Sequence, residues 1–397
     1  MTEAQPATFF APCPRGLESV LQEELVQLDV QHSEVLQGGV RFHGSFDLCY
    51  RINLHSRIAS RVFWAISQGS YHNEDDIYQA AVKLPWPSWF SANHTIKVHV
   101  SAHHCPLHSL EFVTLRVKDA ICDHFRKATG KRPNVDTRQP DVGIYAFLDD
   151  RTVTFYLDTS GEPLFKRGYR LTKGPSPLRE NLAAGILRLT GWVPGQALLD
   201  PMCGSGTFLL EAAQVASQTP PGLNRHFAFE KFFHFDSATW THLCSQSRGS
   251  QCAIPSNTIL GYDQDRQAVN AAKTNLQAAG FDDSVIVEQA DVLEVRPSHP
   301  AGILITNPPY GIRSGDDAKL VGWYPLLGDA LKRHFVGWRA FLFTGDLRLP
   351  KLIRLAPARK TPFFNGPLEC RLLEYPIVQG SNRSKSPTAS TSTQPNL

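Results

Sequence analysis

The stretch Ala197-Leu-Leu-Asp-Pro-Met-Cys-Gly-Ser-Gly-Thr-Phe-Leu-Leu-Glu-Ala-Ala213 decides the fold. A short apolar run ends in an acid and passes through a turn with two glycines. It then enters an unbroken run of helix formers. An apolar strand, a tight turn and a helix in immediate succession form one unit of a parallel α/β sheet. Gly204 and Gly206 let the backbone of the turn approach a ligand that side chains would otherwise block. A lone G-x-G also fits a tight turn that holds nothing, so the reading needs support from elsewhere in the chain. The absence of a following G-K-[ST] argues against a nucleotide P-loop.

Support comes from four further apolar runs, each ending at a polar residue or glycine: Thr258-Ile-Leu-Gly-Tyr-Asp263, Val285-Ile-Val-Glu288, Gly302-Ile-Leu-Ile-Thr-Asn307 and Arg339-Ala-Phe-Leu-Phe-Thr344. Helix-like stretches at Thr207–Val215, Arg266–Ala279 and Leu320–Phe335 separate most of them. The alternation predicts a parallel sheet covered on both faces, with ligands at the carboxyl ends of its strands. Asp263 stands where such folds place the acid that accepts hydrogen bonds from a ribose. It follows Asp200 by 63 residues, whereas roughly 20 are usual. The excess lies in the proline- and aromatic-rich segment Thr219–Ser256, read as an insertion. The third run leads to Ala290-Asp291, and the fourth ends in Asn307-Pro-Pro-Tyr310.

This last motif is the most specific. Two prolines fix the backbone after the asparagine, so the Asn307 side chain and the Pro308 carbonyl can be held toward one point. Such a pair suits an exocyclic NH2 group, and a tyrosine ring can stack on the base that carries it.

The 397 residues suffice for about two to four domains. With 42% hydrophobic and 19% charged residues the chain is neither disordered nor a membrane protein, and a net charge of +3 leaves any nucleic-acid affinity to local basic surface. No signal peptide or spanning run is visible, which predicts a cytoplasmic protein. Eight cysteines without a C-x-x-C pair read as reduced thiols. The first half reads as α+β: a helix over Leu17–Leu28, a strand at Gly38–Gly44, a helix at Glu74–Val82, a strand at Thr95–Ser101, a helix at Phe112–Thr129, and strands at Val142–Leu148 and Thr152–Leu157. Residues 381–397, rich in Ser, Thr and Pro, are expected to be a disordered tail.

At the glycine loop, the acids and Asn-Pro-Pro-Tyr the sequence resembles the class I S-adenosylmethionine-dependent methyltransferases that modify exocyclic or amide nitrogens. Ser160-Gly-Glu-Pro-Leu-Phe-Lys-Arg-Gly-Tyr-Arg170, Pro177-Leu-Arg-Glu-Asn-Leu-Ala-Ala-Gly-Ile-Leu187, Val117-Lys-Asp-Ala-Ile121, Lys131-Arg-Pro-Asn-Val-Asp136 and Pro140-Asp141 narrow it. They look like the RlmL-like, THUMP-containing bacterial 23S ribosomal RNA guanine-N2 methyltransferases, and the resemblance runs from about Phe9 to Ile377. In some bacteria that protein carries a second, fused methyltransferase domain, which is not visible in this sequence, so only the N2-guanine activity is expected.

The resemblance implies a ferredoxin-like segment over residues 1–52, a THUMP RNA-binding domain over 53–160 and a Rossmann-like α/β methyltransferase domain over 161–380. It also implies S-adenosylmethionine as cofactor, held by the loop Asp200, Met202, Gly204, Gly206 and Thr207. Asp263 would take the ribose and Asp291 the adenine amino group, with Pro177 and Glu180 nearby. Asn307, Pro308 and Tyr310 would be catalytic, and no metal is required. The implied partner is RNA, ribosomal first and transfer RNA second.

Lys118, Lys131, Arg132, Arg167 and Arg170 are expected to face the RNA, although each also fits an ordinary solvated surface. His99, His103, His104, Cys105 and His108 cluster in the sequence at spacings that match no common zinc finger and read as a polar or RNA-facing loop. Cys203 reads as part of the turn rather than a nucleophile. Asn-Pro-Pro-Tyr also occurs in DNA adenine-N6 and protein-glutamine methyltransferases, and an inactive assembly factor would share the fold. The N-terminal 160 residues favour RNA over DNA, and the intact motifs favour an enzyme.

Overall fold

The computed structural model describes residues 6–172, 178–310, 317–366 and 368–379 of the 397-residue chain. The expected tail and Pro177 lie outside the described residues. The described residues form two seven-stranded sheets with helices packed on them.

The first contains β1 (Ala7–Pro12), β2 (Ser33–Leu36), β3 (Gly39–Gly44), β4 (Phe63–Ser70), β5 (Ile96–Ala102), β6 (Val142–Leu148) and β7 (Thr152–Asp158), in the order β2-β3-β1-β4-β7-β6-β5. Its inner face, with Phe9, Phe42, Val62, Phe155, Leu157, Ile144 and Val98, is buried in one core with α1 (Glu18–Gln27), α2 (Phe46–His55), α3 (Glu74–Val82) and α4 (Leu110–Thr129). In α4 the apolar positions Val113, Val117, Ala120, Ile121 and Phe125 recur at helical spacing and are buried. The Ser109 side chain caps its start by accepting a hydrogen bond from the Phe112 amide at 3.1 Å. Gly130, with φ of 74°, ends it in the left-handed conformation that glycine adopts without strain.

The expected strands and helices of this half lie within two residues of their observed bounds. The expected boundary at residue 52 does not correspond to a break, because it falls inside α2 and the sheet runs across it through the β1–β4 pair. Local patterns give strands their faces, but only strand pairing decides that two predicted units share one sheet.

The second sheet contains β8 (Leu198–Asp200), β9 (Ile259–Asp263), β10 (Ile286–Gln289), β11 (Ile303–Thr306), β12 (Arg339–Thr344), β13 (Arg359–Asn365) and β14 (Leu368–Pro376). Their order is β10-β9-β8-β11-β12-β14-β13; the first five are parallel and β14 is antiparallel to both neighbours. The chain winds outward from β8 to β10 and returns to β11 on β8's other side, so the topological switch point lies between β8 and β11. Ligands bind at such points, outside the carboxyl ends of the strands. Around the sheet lie α5 (Glu180–Leu189), α6 (Thr207–Ala216), α7 (Ser237–Gly249), α8 (Arg266–Ala279), α9 (Asp317–His334) and the short α10 (Leu349–Leu352). Among the described residues, no helix is long and apolar enough to cross a membrane.

The segment Thr219–Ser256, read as an insertion, clasps the two halves together. The Phe229 ring lies 4.6 Å from Tyr50, and His234 lies edge-on to Phe46 at 4.4 Å and to Trp64 at 5.0 Å. Its backbone joins in, with the Phe233 amide donating to the Trp89 carbonyl at 2.9 Å. Gly222 approaches α2 so closely that a Cβ would stand 2.8 Å from the Asn53 carbonyl oxygen.

Candidate active site

All three residues of β8 are buried, and the strand delivers Asp200 to the switch point at 2% exposure. Its carboxylate accepts a hydrogen bond from the Met202 amide at 3.2 Å. Burial pushes the Asp200 carboxyl up to about 7; the Thr306 hydroxyl and the Met202 amide oppose the shift, and the Asp263 charge adds to it.

The glycine loop is held to β9, its Cys203 amide donating to the Tyr262 carbonyl at 2.8 Å. Asp263 closes the loop, since its carboxylate accepts from the Gly204 amide and from the Asp265 amide, each at 2.9 Å. The two glycines have different duties. Gly206, with φ of 81°, would bring a Cβ to 3.2 Å from the Ala272 side chain of α8, so it serves loop-to-helix packing. Gly204 has a positive φ of 55°, and apart from its chain neighbours no atom of the described residues lies within 4 Å of where its Cβ would stand. There the backbone faces open space that a ligand can enter.

Asp291 follows β10 and is half-buried, accepting from the Leu293 amide at 2.9 Å. The Ala290 amide donates to the Asp263 carbonyl at 3.1 Å, which joins the ends of β9 and β10. Asp200, Asp263 and Asp291 thus stand at the carboxyl ends of three adjacent strands. The residues present fit an adenosyl group, with two acids beyond the glycine loop and a backbone opening at Gly204.

On the other side of the switch point, Asn307 leaves β11 with its Oδ1 buried and without a hydrogen-bond partner among the described residues. An orphaned buried polar atom costs about 1–3 kcal/mol unless something satisfies it; the neighbouring Thr306 Oγ1 is another such atom at this strand end, and both are open to a polar ligand or water. Pro308 is buried, and the half-buried Tyr310 lies beside Gly345 after β12, Asn365 at the end of β13 and Cys370 of β14. A Cβ at Gly345 would touch its Cε2 at 3.0 Å. Burial and the neighbouring Cys370 raise the Tyr310 phenol while a bond to the Asn365 side chain lowers it, which leaves the hydroxyl un-ionised. Behind the turn, the buried Tyr324 hydroxyl donates to Asp346 at 3.1 Å, and Arg348 holds Asp346 in two bonds of 2.9 Å each. That bidentate grip keeps the Asp346 carboxyl below its usual range.

Two expected RNA contacts are corrected. Arg167 is interior: its side chain is 1% exposed, its Nε lies 3.3 Å from the wholly buried Glu211, and it donates to the Leu164 and Arg57 carbonyls at 2.6 Å each. Tyr169 completes the set by donating to Glu211 at 2.8 Å. Arg170 is spent internally as well, with its Nε 3.2 Å from Glu180 and its Nη2 donating to the Leu178 carbonyl and the Thr207 hydroxyl. Neither guanidinium is available to a phosphate. Glu180 starts α5 beside the glycine loop, reached through Arg170 and Thr207.

Lys118 is half-buried and pairs with Asp119 at 2.7 Å, whereas Lys131 and Arg132 are exposed on the loop after α4. His99 is stacked on Tyr145 and His103 lies against His104. Among the described residues no group of three or more His, Cys, Asp or Glu gathers to hold a metal ion. The buried Cys203 thiol is pushed well up by burial and Asp200, which suits packing and not nucleophilic attack.

Sequence reading missed Asn275 of α8. It is wholly buried; its Oδ1 accepts from the Leu171 and Thr172 amides at 3.0 Å each, and its Nδ2 donates to the Thr172 carbonyl at 3.0 Å and the Ser205 carbonyl at 3.1 Å. One side chain therefore pins the incoming linker to the glycine loop. An asparagine at a core position of an amphipathic helix was the available signal.

Residues 167–374 match the RMKL-like methyltransferase domain, residues 71–158 the THUMP domain and residues 8–63 the RlmL ferredoxin-like domain. A ribosomal RNA large subunit methyltransferase K/L of Syntrophotalea carbinolica is 38% identical over 387 residues, 94% of this chain and 54% of that protein. The chain spans about half the length of the curated relatives it matches. Among solved structures, SMU.472, a putative methyltransferase complexed with SAH, superposes with a TM-score of 0.86 at 28% identity, covering 95% of this chain and 100% of its own. A possible methylase from Clostridium difficile 630 gives the same score and identity over 95% and 99%. With its methyltransferase domain matched over more than half its length, the chain belongs to the RMKL-like methyltransferase family.

Proposed function

We propose that this chain methylates the exocyclic N2 amine of a guanosine in structured RNA, with 23S ribosomal RNA as the substrate. The methyl donor is S-adenosylmethionine. The observation that carries the reading is the orphaned Asn307 Oδ1, buried at the end of β11 across the switch point from the glycine loop. The THUMP match supports RNA, and the K/L relative's name supports ribosomal RNA.

The chemistry asks for alignment. The N2 lone pair is delocalised into the guanine ring, so a planar amine is a poor nucleophile. An acceptor at Asn307 and another at the Pro308 carbonyl favour the pyramidal amine, in which the lone pair is free. Tyr310, set beside Gly345, Asn365 and Cys370, holds the extruded base, and extrusion from a stack costs a few kcal/mol. The bound cofactor supplies an already activated methyl group. Asp263 and Asp291 orient it, and the loop from Asp200 to Thr207 surrounds it.

Asn307→Ala is expected to abolish methyl transfer to ribosomal RNA while calorimetric S-adenosylmethionine affinity stays within about three-fold, because the lost acceptor serves the amine alone. Full turnover by this variant overturns the assignment. Nucleoside mass spectrometry of a deletion strain should show loss of N2-methylguanosine from 23S RNA; loss from a transfer RNA with 23S RNA unchanged would reassign the substrate.

A further inference from the structure

The outer face of the first sheet carries a row of aromatic rings that the core does not use. Register places Arg41, Phe10, Phe63, Tyr156, Tyr145 and His99 on one face of β3, β1, β4, β7, β6 and β5. The rings touch in sequence. Phe10 lies 6.5 Å from Tyr156, Tyr156 lies 5.9 Å from Phe63, and Phe63 lies 4.4 Å from Tyr145. His99 stacks on Tyr145 at 4.6 Å with planes 15° apart. All five rings are half-exposed, because the helices cover the opposite face.

The charge around the row is mixed but its acids are spoken for: in the loop beside β5 the Asp136 carboxylate accepts from the Arg138 amide at 2.8 Å and the Gln139 amide at 3.1 Å. The carboxylates on this face are engaged, Glu34 by Arg41 at 3.1 Å and Asp158 by Arg61, whose guanidinium also lies 5.8 Å over the Tyr145 ring. A loop runs beside β5, with the Ile96 amide donating to the Asn134 carbonyl at 2.8 Å and the Asp136 amide to the Ile96 carbonyl at 3.1 Å. It carries exposed Arg138 next to Lys97, whose ammonium donates to the Thr137 carbonyl at 2.9 Å, and exposed Lys131 and Arg132 further along, where the chain leaves α4. None of these four cations has an ion pair among the described residues. Protein interfaces are depleted in lysine at their cores, whereas a ring platform rimmed by free cations is how single-stranded nucleic acid is held.

We propose that this face is a stacking platform for unpaired bases of the RNA substrate, with the phosphates running along the Lys97, Lys131, Arg132 and Arg138 edge. It rests on the RNA reading above and adds which RNA element is bound and where. His99, pushed down to about 4 by burial and the nearby Lys97 and Arg61, is a neutral ring at physiological pH. Burial also raises the Tyr145 and Tyr156 phenols. Neutral rings stack on any base, so the platform selects unpaired RNA and not a sequence.

The test uses the full chain, a fluorescein-labelled single-stranded RNA of roughly 12 nucleotides and its duplex, at one low salt concentration. Anisotropy should show the single strand bound more tightly than the duplex. Tyr145→Ala and Phe63→Ala should each weaken single-strand binding about ten-fold, with calorimetric S-adenosylmethionine binding unchanged as proof of folding. Tyr145→Phe should bind as the wild type does. Tyr145→Leu, which keeps apolar cover, should also lose binding, and a 2-aminopurine base in the strand should be quenched by the wild type and by Tyr145→Phe but not by Tyr145→Leu.

Tyr145→Leu binding within about two-fold of wild type, or duplex bound as tightly as single strand, overturns the platform. The binding assay needs no turnover. A wild-type chain that transfers no methyl to ribosomal RNA would defeat the proposed function, and a chain that transfers methyl with the ring variants fully RNA-competent would defeat the platform alone.

Discussion

Asp200 and Asn275 show how much of the site rests on single buried groups. The Asp200 carboxyl is raised from 3.8 to about 7, so the folded state holds its proton where the unfolded chain has lost it. The sign follows from linkage: between about pH 4 and pH 7 the native state binds more protons, so stability falls as pH rises through that window. Asp200→Asn keeps an acceptor for the Met202 amide and removes the titration. Its melting temperature should therefore lack the decline that the wild type shows between pH 4 and 7; parallel profiles would disprove the cause. Asn275→Ala leaves two amides and two carbonyls without partners in the interior. It should cost roughly 2–4 kcal/mol in urea denaturation and raise KM for S-adenosylmethionine more than it lowers kcat, because the pinned loop holds the cofactor rather than the amine.

Among the elements, the linker before α5 and the loop after α4 carry similar charge but put it to different use. Both are basic in sequence, and composition cannot tell a guanidinium that neutralises Glu211 in the interior from one that waits for phosphate. Burial separates them. Arg167→Ala should destabilise the protein by about 3–5 kcal/mol, since it leaves Glu211 uncompensated. Replacing Lys131 and Arg132 together by alanine should leave melting unchanged and reduce the salt dependence of RNA binding by about one unit of slope per charge, measured by anisotropy over a salt series. An Arg167→Ala chain of wild-type stability would return that residue to the surface.

Across the whole molecule, two seven-stranded sheets are held by one buried core and by the Thr219–Ser256 clasp, which fixes the first sheet relative to the glycine loop of the second. The parallel strands β8 to β12, the glycine loop, the three acids and Asn307 were legible in the sequence, because each rests on a local pattern: a buried run, a turn that needs glycine, or a residue at a strand end. The β13–β14 hairpin was not read, although Asn365-Gly366 between the two runs is a hairpin-turn signal. The sequence by itself determined the element types, the order of the site residues along the chain and their chemistry. Tertiary structure decided that two predicted units share one sheet, that Arg167 and Arg170 point inward, that Asn275 pins the loop and that five rings line one open face. Each of those outcomes depends on pairing, register or burial between residues distant in sequence, and no local pattern encodes them.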